Sequence, residues 1–126
     1  MSDDDLVNVR VLVDDVAASV DFYTRHFGFR TLNEFPAFAD VQRGRLRLLL
    51  SGPRSSAAQP MADGEQPRPG GWNRIHFIVD DLDAEIARLK DEGVTFRNEV
   101  VTGPGGAQVL ALDPSGNLIE LFQPAA

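Results

Sequence analysis

The sequence contains no cysteine, so nothing in it depends on a disulfide framework or on thiolate metal ligands. That fits a reducing compartment, and we expect a cytoplasmic protein. No apolar run approaches the ~20 residues of a membrane-spanning helix, so no membrane partner is expected. The acidic start MSDDDL lacks the apolar stretch of a secretory leader. Basic residues are in the minority, 12 against 19 acidic ones, which leaves a net charge of −7. Such a balance argues against a nucleic-acid surface, since phosphate binding requires a basic footprint, and reads more simply as solubility. Against these absences, a hydrophobic content of 43% over 126 residues is enough for one compact domain with its own core.

What is present is a pattern used twice. From Arg74 to Gly93, RIHFIVDDLDAEIARLKDEG opens with strand alternation, Ile75, Phe77 and Val79 on one face and Arg74, His76 and Ile78 on the other. Asp81 then caps a helix on which Leu82, Ile86 and Leu89 recur at helical spacing. Asp83 and Glu85 lie in its first turn and Lys90 in its last, and Gly93 ends it. Asn8 to Gly28 repeats the arrangement: Val9, Val11 and Val13 form the apolar face, Asp15 the cap, and Val16, Val20, Tyr23 and Phe27 one side of a helix that stops at Gly28. The two Val-Asp-Asp triplets, at Val13 and Val79, stand half a chain apart, which implies duplication of a whole module.

Each helix is followed by strands. In the first half these are Phe29 to Asn33, Pro36 to Val41 and Leu46 to Leu50, with a hairpin turn at Gln42 to Arg45; in the second they are Thr95 to Val101, Gln108 to Leu112 and Leu118 to Phe122. Turns fall at Gly103 to Gly106 and Asp113 to Asn117. Residues 52–71, rich in Pro, Gly, Ser and Ala and without periodicity, read as a mobile connection or a lid. The expectation is a single domain over 1–126 made of module one (6–51), the connection (52–71) and module two (72–124).

Three stretches carry a family resemblance: the run from Val11 through Ser19, Phe22 and Tyr23 to Gly28-Phe29, then FIVDDLDA at Phe77 onward, then DPSGNLIELFQP at Asp113 to Pro124. Together they resemble the glyoxalase, bleomycin-resistance and extradiol-dioxygenase superfamily, also called vicinal oxygen chelate, over nearly the whole chain. The resemblance implies an α+β fold of two tandem βαβββ modules whose sheets curl into a cup. It also implies a small-molecule site in the concavity and a homodimer.

The faces of the strands agree with a pocket. If the apolar face of each opening strand packs on its own helix, Asn8, Arg10 and Leu12, or Arg74, His76 and Ile78, are left for the other side of the sheet. Ile119 and Leu121 take the core face of the last strand, so Glu120 and Phe122 join the mixed one. A few polar groups among apolar ones is the make-up of a ligand pocket. The alternative is that Arg74 and Glu120 merely pair across strands and His76 fills space. Trp72, ending the loose connection, either anchors it or stacks on a ligand. His26, near the end of the first helix, suits the helix dipole better than catalysis. Ser19 has no nucleophile-elbow context, and the glycines of Gly103 to Gly106 lack the Lys-Ser/Thr of a phosphate loop.

Metal-dependent members of the resembled family place a histidine in each opening strand and a carboxylate or histidine in the last strand of a module. Those positions hold Asn8, Arg74, Leu48 and Glu120 here. Only Glu120 is a plausible ligand, an arginine cannot offer a lone pair, and adding His76 still falls short of a three-ligand open site. No metal and no cofactor are expected. Asn8, Arg10, Leu48, Trp72, Arg74, His76, Glu120 and Phe122 are expected to contact a small molecule. The expected function is metal-free ligand binding of the bleomycin-resistance kind; the alternative is a glyoxalase-like lyase, isomerase or dioxygenase acting in the same cup.

Overall fold

The computed structural model describes residues 5–126, and the acidic stretch before Asp5 lies outside them. The described chain forms two compact units, divided at Gly70 and Gly71. Each is a sheet with one helix, and the order of elements repeats.

In the first unit, β1 (Val7–Leu12), α1 (Val16–Phe27), β2 (Arg30–Glu34), β3 (Phe38–Arg43) and β4 (Leu46–Ser51) form a sheet in the order β1-β4-β3-β2. β1 and β4 are parallel and the remaining pairs antiparallel. Asp15 caps α1 by accepting the Ala18 N–H at 3.0 Å. The helix buries Val16, Val20, Phe22, Tyr23 and Phe27. It ends at Gly28, whose left-handed φ of 70° lets its N–H reach back to the Tyr23 carbonyl. Ala39, Val41, Leu48 and Leu50 are fully buried on the apolar face of β3 and β4.

The second unit repeats this with β5 (Arg74–Ile78), α2 (Leu82–Asp91), β6 (Thr95–Phe96), β7 (Val101–Gly103), β8 (Gly106–Leu112) and β9 (Leu118–Pro124). Its order is β5-β9-β8-β6, with β7 also on β8. Asp81 caps α2 through the Ala84 N–H at 3.0 Å, and Leu82 and Leu89 are its buried residues. The expected strand from Thr95 to Val101 is in fact two short ones. Between them the Asn98 side chain takes the Leu110 N–H at 2.9 Å, in place of a backbone carbonyl. The turn at Asp113 to Asn117 is built on a carboxylate: Asp113, 4% exposed, accepts from the backbone N–H groups of Ser115 and Asn117 and from the Asn117 amide. The connection holds a single 3-10 turn at Ser56–Ala58 and is otherwise irregular.

Candidate functional site

In module two β5 lies parallel to β9, with His76 opposite Glu120, Arg74 opposite Leu118 and Ile78 opposite Phe122. On the other side of β9, Leu110 is opposite Glu120 and Leu112 opposite Leu118. Residues opposite one another point to the same side of a sheet, so these side chains share one face. Arg74, His76, Glu120 and Phe122 therefore come together as their alternation requires.

Glu120 is the chemically unusual member, 8% exposed despite its charge. Arg74 Nη1 lies 3.4 Å from Oε1 and His76 Nε2 3.5 Å from Oε2, so each oxygen has one partner. The Phe122 ring sits 5.2 Å from the imidazole. Both polar contacts are at the long end of hydrogen-bond range. The partners are wetter than the carboxylate, with side chains 32% exposed for Arg74 and 44% for His76. A buried carboxylate with reachable partners can accept a ligand N–H or O–H, or exchange a proton with the imidazole.

At the Arg74 end of this face is a hollow of about 230 Å³ lined by Gly71, Trp72, Arg97, Leu112, Gly116 and Leu118. Arg97 stacks its guanidinium over the Trp72 ring at 4.8 Å, and Arg74 Nε donates to the Trp72 carbonyl at 3.4 Å. Sequence reasoning found Trp72 but not Arg97. The alternation of Thr95 and Arg97 would have placed Arg97 on this face only with the pairing of Thr95 opposite Leu112 in hand.

Module one has its own mixed face. Asn8 is opposite Arg47 and Arg10 opposite Leu49, while Asp40 lies opposite Leu49 on the next strand. Asp40, 3% exposed, is held by Arg47 Nη1 at 3.4 Å and by the Asn33 amide at 3.0 Å. Arg47 also donates to the Asn8 side chain at 2.9 Å, and Arg10 donates to the Ser51 hydroxyl at 3.0 Å. Leu48, expected among the ligand contacts, belongs to the other face. It pairs with Val9 and Val41, is fully buried, and so packs in the core. The register makes Leu49 the counterpart of Glu120. A larger hollow, about 590 Å³, opens beside the start of α1 between residues such as Asp14, Glu34, Phe35 and Arg54. It holds none of the mixed-face side chains, and convergent chemistry locates a site better than size does.

The donor set does not fit a catalytic metal. Among the described residues, Glu120 and His76 are the metal-competent side chains that converge on the module-two face, and Arg74 already occupies Glu120. Among the described residues no group of three His, Cys, Asp or Glu side chains is placed to hold an ion. An open catalytic site needs three such ligands.

Comparison with known proteins bears on the fold and on the range of chemistry. The sequence matches the Glyoxalase/Bleomycin resistance protein/Dioxygenase superfamily over residues 5–121. It is 26% identical to the lactoylglutathione lyase of Schizosaccharomyces pombe over 96% of this chain and 48% of that protein, so it spans about half the length of that relative. Among solved structures it is similar to a lactoylglutathione lyase from Agrobacterium tumefaciens, with 26% identity, a TM-score of 0.70 and coverage of 94% of this chain and 92% of that one. It is also similar to TnmS3, an antibiotic binding protein from Streptomyces sp. CB03234, with 28% identity, a TM-score of 0.71 and coverage of 99% of both chains.

Proposed function

This chain belongs to the Glyoxalase/Bleomycin resistance protein/Dioxygenase superfamily, and within it we propose a metal-free protein that binds a small organic molecule on the mixed face of module two. The observation that carries this is the occupation of Glu120. Its two oxygens face Arg74 and His76 at 3.4 and 3.5 Å, among Leu110, Leu118 and Phe122, and no third metal-competent side chain among the described residues joins them. Arg74, His76, Glu120, Phe122 and Trp72 are the proposed contacts. Asn8 and Arg10 are proposed to act on the corresponding face of module one. The likeness to an antibiotic binding protein supports the sequestering role. The test is elemental analysis of purified protein with a ligand screen read by the single tryptophan. Less than stoichiometric Zn, Ni, Mn and Fe, together with ligands whose binding Glu120→Gln weakens, is the expected result; stoichiometric metal lost in Glu120→Ala would overturn it.

A second reading is favoured by the imidazole beside Glu120: an isomerase or lyase that moves a proton between substrate and Glu120, with His76 as the partner acid. The likeness to lactoylglutathione lyases supports catalysis of some kind. Turnover that survives chelation but is lost in both Glu120→Gln and His76→Phe would promote it to first place.

We also propose a homodimer in the cytoplasm. The opening strands β1 and β5 are both sheet edges and carry exposed apolar side chains, Val7 at 63% and Ile78 at 67% exposure, surface that a second copy would cover. Sedimentation showing a monomer at micromolar concentration would refute it.

A further inference from the structure

We infer that Trp72 and Arg97 set the specificity of the module-two face, and that the ligand they select is a planar aromatic compound carrying an acidic group. This rests on the small-molecule reading above and goes on to name the class of ligand. Its first support is a charge without a partner. Arg97 makes no ion pair and no side-chain hydrogen bond with any described residue; its contact is the Trp72 ring at 4.8 Å. Module two has three arginines, and of these Arg88 is paired with Glu85 and Glu92, so an arginine left this way stands out there. Arg74, on the same face, has its charge met by Glu120 at 3.4 Å. The uncompensated charge therefore belongs to Arg97.

The second support is the shape and lining of the hollow. Trp72 is 64% exposed, a large apolar ring presented to solvent with a cation over it. Leu112 and Leu118 add apolar wall, and the volume is about 230 Å³. A cavity of roughly 150 Å³ accepts a benzene ring, so one substituted aromatic ring fits. A guanidinium stacked on an indole keeps its N–H donors in its own plane, where they can fork onto a carboxylate. The ring of the ligand would lie against Trp72 and the leucines, and its acid group against Arg97. A cationic ligand would meet the Arg97 guanidinium. A small inorganic anion would make no use of Trp72, Leu112 or Leu118.

Trp72 is the single tryptophan of the chain, so its indole N–H gives one unambiguous NMR signal. The experiment titrates 4-methylbenzoate and its uncharged amide into ¹⁵N-labelled protein, following that signal and the His76 ring, in the natural sequence and in Arg97→Met, Arg97→Lys and Trp72→Leu. We expect the acid to bind at least about tenfold more tightly than the amide, as a charge-assisted contact supplies. Arg97→Met should erase that preference by weakening the acid far more than the amide. Arg97→Lys should keep part of it, and Trp72→Leu should weaken both probes alike. Equal binding of acid and amide, or a preference that survives Arg97→Met, would overturn the inference. If such binding still shifts His76, the small-molecule reading stands. If neither probe moves Trp72 or His76, the inference falls and the binding reading loses support with it.

Discussion

Removing Arg74 and removing Glu120 should have different consequences, and the difference tests whether the buried Glu120 depends on its neighbour. Glu120 has a side chain only 11% exposed. In Arg74→Ala it would remain buried with only His76, 3.5 Å away, beside it. For a dry site, stripping one partner from a buried ion pair costs about 3 to 5 kcal/mol. Arg74 is 32% exposed, so water can enter the vacated space and solvate the carboxylate. We therefore expect a smaller loss, about 1 to 2 kcal/mol. At about 4 °C per kcal/mol for a chain of this size, the melting temperature falls by roughly 4 to 8 °C. Glu120→Leu removes the anion instead. It places carbon among Leu110, Leu118 and Phe122, and Arg74 can turn into solvent. Its stability should lie within about 1 kcal/mol of the natural sequence, or above it. The double variant Arg74→Ala/Glu120→Leu should regain most of what Arg74→Ala loses. Urea unfolding followed by far-UV circular dichroism, with unchanged denaturant slope, measures all three. If Glu120→Leu costs as much as Arg74→Ala, or the two effects add, the carboxylate is not the liability argued here.

Asp113→Ala should be the most damaging of the polar substitutions, by about 2 to 3 kcal/mol in the same assay, because it orphans two backbone N–H groups and the Asn117 amide in a part-buried turn; a loss below about 0.5 kcal/mol would show that water replaces it. Asp81→Ala should cost about 1 kcal/mol through its cap, with Asp81→Asn recovering most of it. Arg74→His takes the guanidinium away from Glu120 and adds a third metal-competent side chain beside Glu120 and His76, so calorimetry with Zn or Ni should show binding that the natural sequence lacks; equal uptake by both would refute the argument from the donor set. Chelators should leave the melting temperature of the natural sequence unchanged, since no metal-binding free energy would be lost.

What could be read from the sequence was what local chemistry decides. Asp15 and Asp81 cap their helices through bonds made three residues ahead, and Gly28 closes α1 through its own backbone angle. RIHFI and LIELF each carry charge on one parity and carbon on the other, so the meeting of Arg74, His76 and Glu120 followed from alternation. Leu46 to Leu50 shows the limit. Leu48, Leu49 and Leu50 are all apolar, and alternation cannot tell which of them faces the helix. The decision is made by pairing: the Gly44 turn and the Val7 N–H to the Arg45 carbonyl fix the register that puts Leu48 beside Val9 and Val41. The break after Phe96 was equally hidden, because Asn98 interrupts the strand through Leu110, a residue on another strand. Arg97 and Trp72 meet across a whole helix of intervening sequence, and no periodicity links them.

The duplication itself explains why function is assigned to the second module's face. Each module buries one carboxylate there and holds it by a guanidinium at 3.4 Å: Asp40 by Arg47 in the first, Glu120 by Arg74 in the second. In both, the arginine sits on the strand next to the carboxylate's own and reaches it diagonally, since Arg47 lies opposite Gln42 and Arg74 opposite Leu118. The difference is the second partner. Asp40 has the Asn33 amide, which donates a hydrogen bond but cannot exchange a proton. Glu120 has the His76 imidazole, which can do either and stands against the Phe122 ring. The first arrangement is complete as a structural pair. Only the second joins a buried anion to a proton-carrying, solvent-reachable group on an apolar surface, which is the combination that either recognition of a polar ligand or acid–base chemistry requires.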